Sequence, residues 1–376
     1  MTTLAFDPAR SPLAVAVLGT GTLAAEVTRI LHETGADLGE RIGARVVVRE
    51  SPGDLLVDAS ESATAITPVL AALRAGRSVV TGNAALIAEH GHLLTAAAEE
   101  HGADLYFEAA VAGGVPVVRP LTQSLSGDRV RQVLGVLPDR RSAVAQAAIL
   151  ATLAFHTRVE PGDVAFEEFG AAAAHDLTAA ESLSLRLRML TVCSRVSEGP
   201  ELGGKERISV RVSPALLPAD HPLTQLDSAL GAVSVAADGA GQLMFSGSGD
   251  PSATASALLG DLVTAARNRV HGGRAPRASY YAELPVAPLG DTPTRYYLNL
   301  HVTDHAGALA RVAAVFADNG VGIARVRQEL HDTDAHLIVL THRARESALA
   351  DTVDALTESS CVRAVTTRWR VEGTDD

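Results

Sequence analysis

The sequence predicts an α/β protein with a parallel, doubly wound sheet first, an α+β part in the middle and a ferredoxin-like βαββαβ unit at the end. Three observations carry this prediction. Short apolar runs alternate with helical periodicity up to residue 108, which is typical of parallel strands joined by helices. An Ala-rich helical stretch follows from residue 143, and later runs of the middle part have strand character. After residue 293, strand and helix patterns follow each other in the order βαββαβ.

In the first part, apolar runs of strand length predict buried parallel strands over residues 14–18, 45–49, 54–59, 78–81 and 104–108. Helical periodicity predicts helices over 23–33, 63–75 and 85–101. Only a few residues separate the second strand from the third, so no helix fits between those two strands.

In the middle part, we predict a helix over 143–154 and further helix within 171–196, with strands over 207–212 and 232–237 and loops over 246–252 and 272–277. In the last part, the predicted strands cover 295–302, 322–330, 335–341 and 362–371, and the predicted helices cover 308–318 and 346–358. A linker is expected over 288–293. The predicted domains are therefore 1–136, 137–292 and 293–376.

The composition excludes several classes of protein. Of the 376 residues, 47% are hydrophobic and 20% are charged, which excludes large-scale disorder. The net charge of −12 argues against nucleic acid or an anionic membrane as a partner. Cys193 and Cys361 have no zinc-ligand spacing and form no disulfide framework. No apolar stretch approaches the length of a membrane span, so we expect a soluble protein of the cytoplasm.

Lysine is almost missing from the chain. Of the 32 Lys and Arg residues, only Lys205 is a lysine. It stands in a Gly-rich turn, where we expect a surface charge. A chain this poor in lysine cannot easily carry out chemistry that needs two of them.

A glycine motif follows the first predicted strand and opens a helix: Gly19-Thr20-Gly21-Thr22-Leu23-Ala24. Gly19 allows the tight turn, Gly21 lets the backbone approach a pyrophosphate, and Ala24 permits close packing of helix and strand. The free N–H groups of the helix N-terminus favour phosphate. The motif therefore predicts dinucleotide binding, with a purely structural turn as the alternative.

Arg49 and Glu50 end the second predicted strand, where a dinucleotide ribose is discriminated. An arginine there accepts a 2′-phosphate, and an acidic residue accepts a hydrogen bond from a 2′-hydroxyl. Because both types occur side by side, the sequence leaves open whether the cofactor is NAD, NADP or neither. Two solvated charges at a strand end are the alternative.

Several segments of the sequence resemble the motifs of one enzyme family: Ser78-Val79-Val80-Thr81-Gly82-Asn83, Leu105-Tyr106-Phe107-Glu108-Ala109-Ala110, Ala154-Phe155-His156-Thr157-Arg158, Gly241-Gln242-Leu243-Met244-Phe245 and Asp304-His305-Ala306-Gly307-Ala308-Leu309. The chain resembles homoserine dehydrogenases of the long form over nearly its whole length. The resemblance implies a Rossmann-like NAD(P)-binding domain to which Thr81 contributes, a substrate and dimerisation domain, and an ACT domain that senses an amino acid, usually threonine. It also implies a homodimer or homotetramer and the NAD(P)H-dependent reduction of aspartate semialdehyde to homoserine.

The sequence departs from the family pattern at the residues implied to be catalytic. Ala84, Ser142 and Gln146 stand where the resemblance implies a lysine, an aspartate and a second lysine. That second lysine is the implied proton donor to the carbonyl oxygen, and an amide such as that of Gln146 releases no proton near neutral pH. A segment of some tens of residues, with a substrate-binding glutamate, is also missing after residue 141. No implied catalytic residue is therefore intact.

The cofactor region also departs from the family. One βα crossover of the implied sheet is deleted between Glu50 and Asp54, and Ser60-Glu61-Ser62 replaces a Gly-Gly pair. A carboxylate at Glu61 would repel a pyrophosphate.

The resemblance also implies a site for a monovalent cation. Glu108, with the backbone carbonyls of Val111, Gly113 and Val115, matches a loop that holds a monovalent cation, and such oxygen ligands suit Na⁺ or K⁺. The alternative is a structural Gly-rich turn. His156 lies at the end of the helix predicted over 143–154. We expect a packed or capping histidine there rather than a metal ligand.

Asp304, Gly307 and Leu309 form the implied effector motif of the ACT domain, because Gly307 frees a helix N-terminus for an amino-acid carboxylate. Dimerisation without a ligand is the alternative. Two functions therefore stay open for the whole chain: NAD(P)-dependent reduction by an altered route, or a non-catalytic paralogue that binds an amino acid. The replacements at Ala84, Ser142 and Gln146 favour the second.

Overall fold

The computed structural model describes residues 11–50, 52–137, 139, 141–170, 174–197, 206–227, 229–303, 306–331 and 334–373. They belong to two compact units, each built from two stretches of chain. Unit 1 consists of Met1–Val164 and Asp227–Leu284, and unit 2 consists of Ala165–Leu226 and Pro285–Asp376. The three contiguous domains expected from the sequence stay a prediction. Lys205 lies outside the described residues.

The described strands are β1 Leu13–Leu18, β2 Val46–Arg49, β3 Leu55–Asp58, β4 Ser78–Thr81, β5 Leu105–Tyr106, β6 Val130–Val136, β7 Ala165–Phe166, β8 Leu185–Ser197, β9 Glu206–Pro218, β10 Leu230–Ala237, β11 Gly241–Ser248, β12 Pro293–Thr294, β13 Tyr296–Val302, β14 Ile323–His331, β15 Asp334–Thr341, β16 Ala344–Arg345 and β17 Val362–Val371. The described α-helices are α1 Thr22–Ile42, α2 Ile66–Arg74, α3 Ala84–His101, α4 Ala143–Phe155, α5 Ala174–Ser182, α6 Pro251–His271, α7 Ala308–Asp318 and α8 Glu346–Glu358.

Unit 1 contains the parallel sheet that the sequence predicts. Its strands lie in the order β2-β1-β3-β4-β5, and every neighbouring pair is parallel. Apolar residues of β1, β3, α1 and α6 form one buried core against this sheet. A second layer of unit 1 pairs β11 with β10 and β10 with β6, both antiparallel. The parallel α/β prediction for this part is confirmed.

The connection from β2 to β3 is very short although it crosses from one side of β1 to the other. β2 pairs with Leu13 to Ala16, whereas β3 pairs with Val15 to Leu18, on the other side of β1. Gly53 lies in this crossing, and a Cβ atom there would stand 2.8 Å from the Ala14 carbonyl oxygen and from the Ala16 nitrogen. Only glycine lets the chain pass this close to the strand backbone.

The prediction of further helix within 171–196 is wrong in its second half. α5 ends at Ser182, and β8 follows as an antiparallel partner of β9 along its whole length. Cys193 is fully buried, but in this strand rather than in a helix. The apolar run that contains it lacks a clear period, and its partner strand decides its conformation.

The last part of unit 2 has the predicted βαββαβ order of β13, α7, β14, β15, α8 and β17. The strands lie in the antiparallel order β17-β13-β15-β14, and the helices cover a core built from β13, β15 and the inner faces of α7 and α8. β9 continues this sheet beyond β17 through a short parallel pairing, Arg370 with Ala215 and Val371 with Leu216. The ferredoxin-like prediction is confirmed.

Among the residues that the structure describes, no helix has the length and apolar character needed to cross a membrane.

Candidate functional site

The glycine turn lies at the carboxyl end of β1, as the motif predicts. Gly19 has φ +120°, and a Cβ atom on it would stand 2.8 Å from the carbonyl oxygen of Ala59. Gly21 is the last residue before α1, and nothing lies within 4 Å of the position of an added Cβ atom. Thr20 and Thr22 are exposed. The turn therefore leaves open space at the N-terminus of α1, which is where a pyrophosphate would bind.

The first turn of α1 contributes to packing as well as to this open end. Ala24 is buried in the core of unit 1, and Leu23 packs against the same core. α1 has no acidic residue in its first turn and no side-chain cap, so its N–H groups keep their attraction for an anion. Arg49 and Glu50 are both exposed at the end of β2, and the choice between NAD and NADP stays a prediction.

A buried polar network occupies the ends of β3 and β4, and the sequence analysis missed it. The Thr81 hydroxyl donates to Asp58 Oδ2 at 2.8 Å, and the Ser60 hydroxyl donates to Asp58 Oδ1 at 2.6 Å. The Asn83 backbone N–H donates to Thr81 Oγ1, and the Asn83 side chain donates to Ser60 Oγ. Burial raises the pKa of Asp58, and the hydrogen bonds from Ser60 and Thr81 oppose the rise. The sequence predicts that Thr81 contacts the cofactor, but its hydroxyl is already hydrogen-bonded to Asp58 and Asn83.

The three positions implied to be catalytic lie at or near the N-terminal ends of α3 and α4. Ala84 is the first residue of α3 and is buried. Ser142 precedes α4, and Gln146 lies one turn later. The Gln146 side-chain oxygen accepts the Ala112 N–H at 3.0 Å, and its nitrogen donates to Ser142 Oγ at 2.5 Å. Ser142 in turn donates to Asp139.

This arrangement gives Gln146 a structural role. Ala112 has φ +55°, a conformation that a residue with a side chain rarely adopts, and Gln146 holds its N–H in place. Gln146 is 4% exposed, so its amide has little contact with solvent. Its polar atoms serve the protein's own loop and helix, and they offer no proton to a substrate.

Glu108 is buried and caps the segment after the Gly-rich loop. Its Oε1 accepts the N–H groups of Val117 at 2.6 Å and Val118 at 2.7 Å, and its Oε2 accepts that of Arg119 at 2.9 Å. Burial raises the pKa of Glu108, and these three N–H groups oppose the rise. The carboxylate therefore has a structural use as the acceptor of three backbone N–H groups.

The backbone carbonyls of Val111, Gly113 and Val115 accept no hydrogen bond from any other residue in the described part of the chain. Such free carbonyl oxygens suit a monovalent cation. The predicted site is therefore supported by its carbonyls more than by its carboxylate, and the cation stays a prediction. No group of three or more His, Cys, Asp or Glu side chains placed to hold a metal is found in the described ranges.

Asp261, on α6, is a second buried carboxylate beside Glu108. It accepts the Glu108 N–H at 2.8 Å and pairs with the Arg119 guanidinium. Burial raises the pKa of Asp261, and the hydrogen bonds from Glu108 and Arg119 oppose the rise. Sequence reasoning missed it because α6 was not predicted and lies far along the chain from Glu108.

His156 caps α4 in the left-handed conformation, with φ +52°. Its ring stacks on Tyr281, with the ring centroids 5.0 Å apart, at the wall of a cavity of about 280 Å³. The prediction of a packed, capping histidine is confirmed.

The effector motif is described in part. Gly307 has φ +90° and precedes α7, as expected for a residue that frees a helix N-terminus. Leu309 lies in the first turn of α7 and is 44% exposed. Asp304 lies outside the described residues. Amino-acid binding at this motif stays a prediction.

Comparison with known families matches three parts of the chain. The family model described as homoserine dehydrogenase matches residues 141–263, the model described as the NAD-binding domain of homoserine dehydrogenase matches 37–108, and the ACT domain model matches 296–359.

Curated relatives match nearly the full length. The homoserine dehydrogenase of Corynebacterium glutamicum is 38% identical, with 98% of each chain covered, and that of Mycobacterium tuberculosis is 41% identical, with 96% of this chain and 98% of the relative covered. The first alignment runs over 441 positions, whereas this chain has 376 residues. The Corynebacterium protein therefore carries residues that this chain lacks.

Solved structures share the fold. A homoserine dehydrogenase from Thiobacillus denitrificans superposes with a TM-score of 0.85 at 24% identity, over 96% of this chain and 98% of that one. A hyperthermophilic archaeal homoserine dehydrogenase mutant in complex with NADPH superposes with a TM-score of 0.54 at 20% identity, over 68% of this chain and 98% of that one.

Proposed function

The chain belongs to the homoserine dehydrogenase family, and from that premise we propose that it is a non-catalytic member that binds an amino-acid effector through its ACT domain. It does not reduce aspartate semialdehyde at a useful rate. Its nucleotide-binding turn remains able to bind NAD(P)(H).

The observation that carries this proposal is the use of Gln146 as a structural residue. Reduction of an aldehyde delivers a hydride to the carbonyl carbon and a proton to the carbonyl oxygen. The family resemblance puts the proton donor at the position of Gln146, whose amide instead bridges Ala112 and Ser142. Its neighbour Ser142 is a neutral hydroxyl, so the implied lysine–aspartate pair has no counterpart here.

The glycine turn itself fits a bound dinucleotide, whereas the exposed Glu61, just after the Ala59-Ser60 segment beside Gly19, opposes it. The open space at Gly21 and the uncapped N-terminus of α1 suit a pyrophosphate. A nicotinamide cofactor bound there would supply the hydride. The chain's own contribution is then binding through Gly19 to Leu23, without a group that protonates the substrate oxygen.

Purified full-length protein, supplied with NADPH and aspartate semialdehyde, is expected to oxidise NADPH at least about 100-fold more slowly than the Corynebacterium glutamicum relative. The reason is that general acid catalysis contributes roughly 10²–10⁴-fold. The measurement is the loss of nicotinamide absorbance with both proteins in parallel. Turnover near that of the relative would contradict the proposal.

Nucleotide calorimetry separates a missing proton donor from a missing cofactor. We expect NADPH to bind the unchanged protein and not Gly21→Asp, because the new carboxylate would repel the phosphates. The same aspartate has room at Gly21 and is a favoured residue before a helix, so the variant should fold normally. Binding without turnover supports the proposal, whereas absence of binding would restrict it to the ACT domain.

Threonine is expected to release or absorb measurable heat when titrated into the full-length protein. The effector prediction rests on Gly307 at the start of α7 and on the exposed Leu309. Leu309→Glu should abolish the heat, since it puts a like charge beside the bound carboxylate while altering an exposed side chain. Light scattering on the same samples reports the predicted homodimer or homotetramer. If the protein is a dimer but gives no heat with threonine or related amino acids, the role of the ACT domain is dimerisation without a ligand.

A further inference from the structure

Unit 2 contains a cavity of about 420 Å³ that belongs to none of the sites described above. β7, β9, β13, β17 and α8 all contribute to its wall. It lies near Tyr296, where β13 begins, whereas the effector motif follows the far end of the same strand. The seven residues of β13 separate the two places by about 20 Å.

One wall comes from β9, where Arg211 and Ser213 stand two residues apart and hence on the same face. Both are almost completely buried, at 4% and 2% exposure. Arg211 Nη2 pairs with Glu372, but its Nε and the Ser213 hydroxyl have no hydrogen-bond partner among the described residues. Buried polar groups without partners are costly, so this wall lacks an acceptor.

The neighbouring strand of the same sheet, β17, adds Arg368 and Arg370, which again share one face. Arg370 is already paired with two carboxylates, the buried Glu346 and the more exposed Glu167. Arg368 is exposed and lies 5.7 Å from the centre of the Tyr296 ring, and no acidic side chain pairs with it in the described part of the chain. The cavity therefore has one cation free to bind an anion at its mouth and unmet donors at its base.

Apolar surface completes the wall. The Tyr296 ring, the half-exposed Phe166, Leu289 and Ala350 all line the cavity. An occupant must therefore bring negatively charged oxygen acceptors for arginine and a small apolar body. A carboxylate offers two oxygens in the plane that a guanidinium prefers.

From this geometry we infer that the cavity binds a small organic carboxylate, held by Arg368 at the mouth and by Arg211 and Ser213 at the base. The site is distinct from the effector motif and gives unit 2 a second place at which a small acid binds. Its apolar part packs against Tyr296 and Phe166.

Isobutyrate is the probe, and isobutyramide is its neutral counterpart of nearly the same shape. Ligand-observed NMR titration of the full-length protein at constant ionic strength is expected to give millimolar binding of isobutyrate and none of isobutyramide. Arg368→Gln and Ser213→Ala should each raise the dissociation constant about 10-fold. Neither change breaks a hydrogen bond or ion pair between the described residues, so both variants should stay folded.

Arg311→Gln is the matched control, since Arg311 is an exposed arginine on α7 of the same unit, and it should leave isobutyrate binding unchanged. Three outcomes would overturn the inference. They are absence of isobutyrate binding at 100 mM, equal binding of the acid and the amide, or unchanged binding in Arg368→Gln. If inorganic phosphate displaces isobutyrate at a phosphate concentration below that of isobutyrate, the cavity binds an inorganic oxyanion rather than an organic carboxylate, and the inference is also wrong.

Discussion

Arg370→Met is expected to lower the free energy of unfolding by about 4 kcal/mol, because it leaves a buried carboxylate without its cation. Arg370 is 6% exposed and Glu346 is 7% exposed. The Arg370 guanidinium approaches both oxygens of Glu346, at 2.6 Å and 3.4 Å. Burial works against the charge of Arg370, yet its hydrogen bonds with Glu346 and Glu167 raise its pKa above the usual value.

A double variant separates the lost attraction from the charge that is left behind. Glu346→Gln added to Arg370→Met removes the unpaired charge and keeps an acceptor for the Tyr296 hydroxyl, which donates to Glu346 Oε1. We expect it to recover about half of the loss, because neutral groups cost far less to bury than an isolated charge. Urea denaturation of the single and double variants measures this difference.

Arg311→Met changes the same residue type at an exposed position of α7 and should stay within about 0.5 kcal/mol of the unchanged protein. A similarly small effect for Arg370→Met would show that the ion pair adds little to the stability of unit 2. A double variant less stable than Arg370→Met would show that the charge of Glu346 is satisfied by other groups.

Elements with a strong local pattern could be predicted from the sequence. β4, α7, α8 and β17 have the predicted bounds. The local signals are an apolar face with a glycine at each end for α7, and a short apolar run for β4. The βαββαβ part of unit 2, from β13 to β17, was predicted best. Its helices have one apolar face, and short loops connect neighbours in space.

Elements that depend on distant partners could not be predicted. β8 contains an apolar run without a clear period, and its thirteen residues are extended because each pairs with a residue of β9. α6 is rich in Ser, Ala and Thr and carries Gly260 near its middle. It packs against α1 and the parallel sheet in the unit 1 core. Its local signals, Asp250 and Pro251 at the start and Gly272 at the end, were overlooked in the sequence.

The candidate site likewise has features that could be predicted from adjacent residues and contacts between distant residues that could not. The turn from Gly19 to Thr22 was predicted because its function depends on adjacent residues. The contact of Gln146 with Ala112 joins residues 34 apart in the chain, and that of Asp261 with Glu108 joins residues 153 apart. Asp58 could have been suspected, since it ends a buried strand next to Ser60 and opposite Thr81. Its role became visible only once β3 and β4 were paired.

Glu108→Gln is expected to lower the free energy of unfolding by about 3 kcal/mol. The three N–H groups of residues 117–119 point at the two carboxylate oxygens. Glutamine puts an NH₂ donor where one of those oxygens stood, so at least one buried N–H faces another donor and loses its acceptor. The loss of a charge-assisted hydrogen bond adds to that desolvation cost. Glu100→Gln, at an exposed position of α3, is the matched control and should have almost no effect.

The same variant distinguishes the two roles proposed for the Glu108 loop. If the carboxylate only caps residues 117–119, Glu108→Gln loses the same stability in Na⁺, in K⁺ and in a bulky organic cation. If it also binds a monovalent cation with the carbonyls of Val111, Gly113 and Val115, Na⁺ or K⁺ stabilises the unchanged protein by binding only its folded state, and that gain disappears in the variant. We expect the first result, because both carboxylate oxygens of Glu108 already accept N–H groups of residues 117–119. A cation-dependent gain lost in Glu108→Gln would assign the carboxylate to the cation site.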